Sequence, residues 1–414
     1  MRSQACLGIS GKWRARRRRI TATTALAVAC VTALVAGCGG GGSTHPPSAQ
    51  AGAEPPADLS PGPPGALISA TPLTVQDGLT AWRVIYHTRD QTGADVAASG
   101  LVVTPAAGRG GPVPAGGRAV VAFGHGTTGV GDSCAPSRST PPLSAIGGTL
   151  GLVSQGYVLA AADYIGLGTP GEHAIYVARP AGQALLDVAR AARALPAAHA
   201  GTNVVLWGYS QGGQAALVAG ALAARYAPDL HVRGVVATAP LVDLPNSLRT
   251  LLAEPDGVAY LLLGAFGVSV VDPSVRLSGD LTDTGRRLLS IARRKCALDL
   301  LVASRGQTGS SVFVHNPLTT EPYASMFAAQ RAAAIGRMPP VLVLQGDVDQ
   351  VIRQPITDGV VRDLCATGTS VEYHRYAIAD HSTVVGASFT ELYAWIAGRL
   401  AATPAPVHNI CAGL

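Results

Sequence analysis

Ser210 sits in the run Gly208-Tyr209-Ser210-Gln211-Gly212. A serine hydroxyl attacks a carbonyl only when a neighbouring base removes its proton. The G-x-S-x-G spacing is one way to present such a hydroxyl. With 50 glycines in 414 residues, the pattern arises by chance in roughly a third of comparable chains, so its surroundings must decide. An apolar run, Val204-Val205-Leu206-Trp207, leads into it, and an Ala-rich run from Gln211 to Ala216 leads out. A sharp strand-to-helix turn would lift the hydroxyl clear, with Gly208 and Gly212 present because side chains there would clash. The same serine would head a helix whose free N–H groups favour developing negative charge. The bland alternative is a Gly/Ser cap on an ordinary strand–helix loop.

A base and an acid should follow in chain order after the serine. His381, in Ala379-Asp380-His381-Ser382, comes after the last apolar strand and before the last helical pattern. His231 and His374 fall beside or inside strands, and His408 lies near the C-terminus beside Cys411. The acid is assigned to Asp349, in the turn Gln345-Gly346-Asp347-Val348-Asp349 after the run Val341–Leu344. Its task is to fix the imidazole tautomer and to stabilise imidazolium. Asp347 is the rival, read as a turn-forming carboxylate, and Asp380 is a third candidate. An oxyanion needs two donors. They are expected to be the backbone N–H of Gln211 and that of Thr127, in Gly124-His125-Gly126-Thr127-Thr128-Gly129, with help from the Thr128 hydroxyl.

These groups need a frame. Apolar runs at 82–87, 96–104, 118–123, 157–162, 204–207, 232–238, 340–344 and 371–376 read as strands. Helical patterns cover 181–195, 211–226 and 387–400. The alternation predicts an α/β fold, a mostly parallel central sheet with helices on both faces. Between 241 and about 316 the pattern is Leu-rich and helical without a strand. It is expected to be an inserted cap over the carboxyl edge of the sheet, where α/β proteins bind ligands, and to supply an apolar acyl pocket.

The first residues are of a different kind. Arg2, Lys12, Arg14 and Arg16 to Arg19 precede an uncharged run from Ile20 to Ala36, the signature of an export signal. Leu34-Val35-Ala36-Gly37-Cys38 resembles a bacterial lipobox, which implies cleavage before Cys38 and lipidation of its thiol. The expected organisation is therefore a signal peptide at 1–37, a Gly/Pro-rich tether at 38–66 and a catalytic domain at 67–414. Seven of the 31 basic residues lie in the signal, which leaves 24 against 25 acids, so the high pI is no sign of a nucleic-acid partner. Cys134, Cys296, Cys365 and Cys411 remain, an even set suited to disulfides outside the cytosol, and three pairings are open. None of their spacings is that of a zinc site.

Taken together, Gly124 to Gly129, Asp132-Ser133-Cys134-Ala135-Pro136-Ser137, Ala162-Asp163-Tyr164-Ile165-Gly166-Leu167-Gly168, Gly208 to Gly213 and Asp380-His381 resemble the secretory lipases, α/β-hydrolases that include fungal lipase A. The resemblance implies the α/β-hydrolase fold, carboxylic ester hydrolysis without a cofactor, and a helical cap before the acid. It also implies the pairings Cys134–Cys296 and Cys365–Cys411, and a structural role for Asp163 after its strand. This chain departs from fungal members in having Thr127-Thr128 in place of an acidic residue, and Ile352-Arg353 where a proline is common. The expected partner is a lipid or other apolar ester. The chain itself is expected to act as a monomer, anchored on the outer side of the cytoplasmic membrane and partly released. A peptidase or acyltransferase on the same scaffold, and a non-catalytic surface-anchored binding protein, are the competing readings.

Overall fold

The structure, a computed structural model, describes residues 59–413. The export signal, Cys38 and most of the tether lie outside the described residues. Nine strands form a single sheet: β1 (Leu67–Leu73), β2 (Leu79–Arg89), β3 (Asp95–Pro105), β4 (Arg118–Gly124), β5 (Val158–Ile165), β6 (Ala200–Tyr209), β7 (His231–Thr238), β8 (Val341–Gly346) and β9 (Val371–Tyr376). Their order is β1-β2-β3-β5-β4-β6-β7-β8-β9. β1, β2, β3 and β5 pair antiparallel. From β5 to β9 all pairs are parallel. The α/β fold read from the alternation is thus present, as a mostly parallel sheet.

The helices are α1 (Gly151–Ser154), α2 (Ala178–Ala194), α3 (Gln211–Tyr226), α4 (Leu244–Leu251), α5 (Val258–Val271), α6 (Asp283–Arg294), α7 (Ala297–Ser304), α8 (Gly309–Val312), α9 (Tyr323–Ala334), α10 (Gln354–Ala366), α11 (Thr383–Ala387) and α12 (Phe389–Leu400). Through their middles the central strands are apolar at successive positions because both faces are covered. Val120, Ala122, Val204 and Leu206 face one side, against Leu185 and Val188 of α2 and Leu217 of α3. Their neighbours Val121, Phe123, Val205 and Trp207 face the other, against Leu392, Trp395 and Ile396 of α12. One-residue alternation on a pleat therefore fills two separate cores.

β1 is absent from the sequence reading. It is an edge strand of half-buried residues containing Pro72, so it shows neither an apolar run nor clean alternation. Asp163 lies inside β5 and not after it. The helix read at 387–400 is α12, which begins at Phe389; Ala387 ends the short α11, and Ser388 lies between them.

Between β7 and β8 the chain is helical from α4 to α9, with a core of its own. Leu244, Leu248, Leu251, Leu261, Leu262, Phe266 and Phe327 are buried in it. The helical stretch continues past 316 through α9, whose Gln330 side-chain oxygen Oε1 accepts from the Ala178 N–H at the start of α2, at 2.9 Å. Cys134 and Cys296 are bonded, as are Cys365 and Cys411. The first bond joins the loop after β4 to the start of α7. The second ties the C-terminal segment to α10. Among the described residues, no helix is long and apolar enough to cross a membrane.

Candidate active site

Ser210 lies between β6 and α3 with φ 57° and ψ −117°, a conformation that costs a side-chain-bearing residue of order 1–3 kcal/mol. The neighbouring residues over-determine it. A Cβ on Gly208 would sit 1.8 Å from the Gly212 carbonyl oxygen, and one on Gly212 would sit 1.9 Å from that of Gly124. The Ser210 N–H donates to the Thr238 carbonyl at 2.9 Å. Strand, turn and helix are thereby locked together, and the hydroxyl is held at the carboxyl edge of the sheet.

The histidine and the acid meet it there. His381 Nε2 is 3.0 Å from Ser210 Oγ, and His381 Nδ1 is 2.8 Å from Asp349 Oδ2. A carboxylate oxygen can only accept, so Nδ1 carries the proton and Nε2 is left to accept from the serine. Asp349 is buried. Its Oδ1 accepts from the N–H groups of Val351 and Ile352, both at 2.8 Å, and its Oδ2 accepts from the Gln345 amide at 3.3 Å. Tyr209 also holds the histidine: its hydroxyl donates to the His381 carbonyl at 3.0 Å, and the two rings lie 5.0 Å apart.

The rival carboxylates point elsewhere. Asp347 pairs with Arg375 at 2.7 Å. Asp380 is exposed and accepts from the Thr383 N–H and hydroxyl and the Ser382 N–H, which hold it below the usual carboxylate range. Asp163 is buried inside β5, where it accepts from the Ser99 hydroxyl at 2.6 Å and the Ser137 N–H at 2.9 Å. It therefore fixes the segment that carries Cys134.

Thr127 and Gln211 flank the serine. Among the described residues, neither backbone N–H has a hydrogen-bond acceptor, so both remain available to an incoming oxygen. The Thr128 hydroxyl is buried without a partner among the described residues, while the Thr128 carbonyl accepts from the Ala297 N–H at 2.8 Å.

Behind these donors runs a chain of side chains that sequence reasoning did not identify. His173 Nδ1 is 2.9 Å from the Ile165 carbonyl and so donates to it. Burial pushes the His173 pKa down to about 4, which leaves the ring neutral and Nε2 an acceptor. Gln211 Nε2 donates to that nitrogen at 3.3 Å. Gln211 Oε1 accepts from the Thr127 hydroxyl at 3.4 Å, and Tyr176 OH, 3.0 Å away, completes the series on Thr127 Oγ1. The direction of every bond follows from the histidine. Tyr164 stacks on His173 with centroids 5.9 Å apart and donates to the His125 carbonyl at 3.0 Å. The only sequence signal for this set was an unassigned histidine in Gly171-Glu172-His173.

A narrow cavity opens beside Ser210. Its polar lining is Thr127, Tyr176 and Tyr260, and its apolar lining comes from Leu241, Leu248, Leu251, Val351 and Ile352. Larger surface grooves of about 780 and 840 Å³ run along α3 and include no residue of the Ser210–His381–Asp349 set.

The model of the secretory lipase family matches residues 148–407. A probable inactive lipase of Mycobacterium tuberculosis is 29% identical over 50% of this chain and 48% of its own length. Lipase A of Arthroderma benhamiae is 25% identical over 65% and 61%. The chain spans about half the length of the curated relatives it matches. Among solved structures, Candida antarctica lipase A superposes with a TM-score of 0.71 at 22% identity, covering 83% of this chain and 84% of that one.

Proposed function

The chain belongs to the secretory lipase family, and from that premise we propose that it hydrolyses carboxylic esters through an acyl-enzyme on Ser210. The observation that carries the proposal is the unbroken series Ser210 Oγ, His381, Asp349, with bonds of 3.0 and 2.8 Å. One relative bears the name of an inactive lipase, so family membership alone does not carry catalysis.

In the proposed reaction the ester carbonyl lies between Ser210 Oγ and the N–H groups of Thr127 and Gln211. His381 Nε2 takes the serine proton as the Oγ–carbon bond forms. The two N–H groups hold the oxyanion. When the carbon–oxygen bond to the alcohol breaks, His381 returns its proton to the departing oxygen. A water then gives its proton to the same nitrogen and attacks the acyl carbon; as the acyl–Oγ bond breaks, His381 returns that proton to Ser210 Oγ and the carboxylic acid leaves. Asp349 stays ionised and stabilises the imidazolium formed in each half. Triad and oxyanion donors serve amides and acyl transfer equally, so ester preference rests on the family and on the apolar lining beside Ser210.

Labelling with a fluorophosphonate tests the nucleophile. The wild-type protein should label and Ser210→Ala should not, with unchanged melting. Absence of labelling in the wild type removes the proposal, and faster turnover of peptide amides than of acyl esters replaces it with a peptidase. Export and lipidation at Cys38 belong to the same proposal, supported by the basic and apolar segments at 1–37. Cys38→Ser should move the protein from membrane to soluble fractions.

A further inference from the structure

We propose that the substrate carries a short acyl group, from acetyl to butyryl, and that the cap's own packing sets this limit. The inference rests on the ester-hydrolase reading and narrows its substrate class. A Leu-rich cap suggests a long apolar channel, but its leucines are used otherwise. The cavity beside Ser210 has a volume of only about 10 Å³. Pockets for drug-sized ligands hold ~300–1,000 Å³, and about 10–15 Å³ is what one water needs.

The walls explain why the space is small and why two of them are fixed. Leu241, Leu248, Leu251 and Ile352 are at most 4% exposed, so each already has neighbours behind it. The Leu241 N–H donates to the Ser210 carbonyl at 3.0 Å. The Ile352 N–H donates to Asp349 Oδ1 at 2.8 Å. Moving either wall outward pulls on the nucleophile or the acid. Leu248 has no such bond, but a glycine and an aromatic ring back it. A Cβ on Gly264 of α5 would lie 3.5 Å from Leu248 and 3.3 Å from Phe327. The cap is also fastened to the oxyanion loop by Cys134–Cys296 and by the Ala297 N–H on the Thr128 carbonyl. A chain of a few carbons requires only small shifts of Leu248 and Tyr260, walls not bonded to the nucleophile or the acid, whereas a long one must part α4 from α5.

The experiment compares kcat/KM of the full chain on p-nitrophenyl acetate, butyrate, octanoate and palmitate in dispersing detergent, with active sites titrated by a fluorophosphonate. Acetate or butyrate should be fastest, with octanoate slower by about tenfold or more and palmitate slower still. Leu248→Ala should raise the octanoate-to-butyrate ratio by about tenfold. Acetates of longer alcohols should show a shallower dependence than the acyl series. A wild-type optimum at octanoate or palmitate, or a steeper dependence on the alcohol than on the acyl group, overturns the inference while leaving an esterase. Absence of both labelling and hydrolysis removes the ester-hydrolase reading itself. Should Leu248→Ala fail to fold, wild-type inactivation by short-alkyl and long-alkyl fluorophosphonates decides: faster short-chain inactivation supports the limit, and faster long-chain inactivation overturns it.

Discussion

Asp349 and Asp347 are two residues apart, yet only one reaches the histidine, and this difference is open to direct measurement. Asp349→Asn keeps the shape but lets the side chain donate where it must accept, which favours the wrong imidazole tautomer. By analogy with triads on other folds, kcat should fall by about 10⁴. Asp347→Asn breaks only an exposed pair with Arg375, worth ~0–1 kcal/mol, and kcat should stay within about twofold. Equal losses in ester-hydrolysis assays would mean that the acid has been misassigned. His173 supports a second prediction. Its folded pKa of about 4 lies below the ~6.5 of a free histidine. The unfolded state then binds more protons between those values, so stability is fully present above about pH 6.5 and is lost as the pH falls toward 4. The contribution is at most about 3 kcal/mol. Asp187, raised to about 6 mainly by burial, acts in the opposite sense over the same range. The wild-type curve must therefore be compared with that of His173→Gln, in urea melts from pH 7 to 4. The wild type should lose its advantage over the variant as the pH falls, and parallel curves would refute the assignment.

The turn between β6 and α3 was legible because its constraint is local. Val204–Trp207, the two glycines and an Ala-rich helix follow one another in sequence, and the order Ser210, Asp349, His381 is fixed by topology. The His173–Gln211–Thr127–Tyr176 series was not legible. It joins the approach to α2, the first residue of α3 and the loop after β4, and nothing in the local pattern brings them together. β1 was missed for the complementary reason, since an edge strand needs no apolar face. The tightest element-level constraint is the approach of α3 to the loop after β4, where Gly212 faces the Gly124 carbonyl. Gly212→Ala puts a methyl group 1.9 Å from that oxygen, and only backbone movement relieves it. Stability should fall by more than about 3 kcal/mol, read as a lower urea midpoint with an unchanged slope. Gly171→Ala is a suitable contrast: it has φ 99° but nothing within 4 Å of the added carbon. It should cost only the left-handed backbone preference, roughly 1–2 kcal/mol.

The two disulfides have similar theoretical weight and unequal positions. Cys134–Cys296 spans 162 residues and Cys365–Cys411 spans 46. Loop closure grows only with the logarithm of length, so removal of either should cost a comparable ~2–5 kcal/mol. Their effects on turnover should differ. Cys134 follows the Thr127 loop, and Cys296 begins α7 of the cap. Gly129 forms a β-bridge with Cys296, and the adjacent Thr128 carbonyl holds Ala297. The bond thus joins the loop of the proposed donor Thr127 to α7, which packs on α5, the helix whose Tyr260 lines the cavity beside Ser210. Cys365 and Cys411 instead fasten the C-terminal segment to α10, whose preceding loop carries Asp349 but whose own end lies a full helix away from it. The double variant Cys134→Ser/Cys296→Ser, assayed well below its melting temperature, should lose about tenfold or more in kcat on the best short ester. It should also become less selective against longer acyl groups, because both the proposed donor and, through α7, the α5 wall gain freedom. Cys365→Ser/Cys411→Ser should melt earlier but keep kcat and chain-length profile. Equal kinetic effects of the two pairs would mean that the cap and the oxyanion loop are held by packing alone, and that the covalent tie between them has no part in shaping the site.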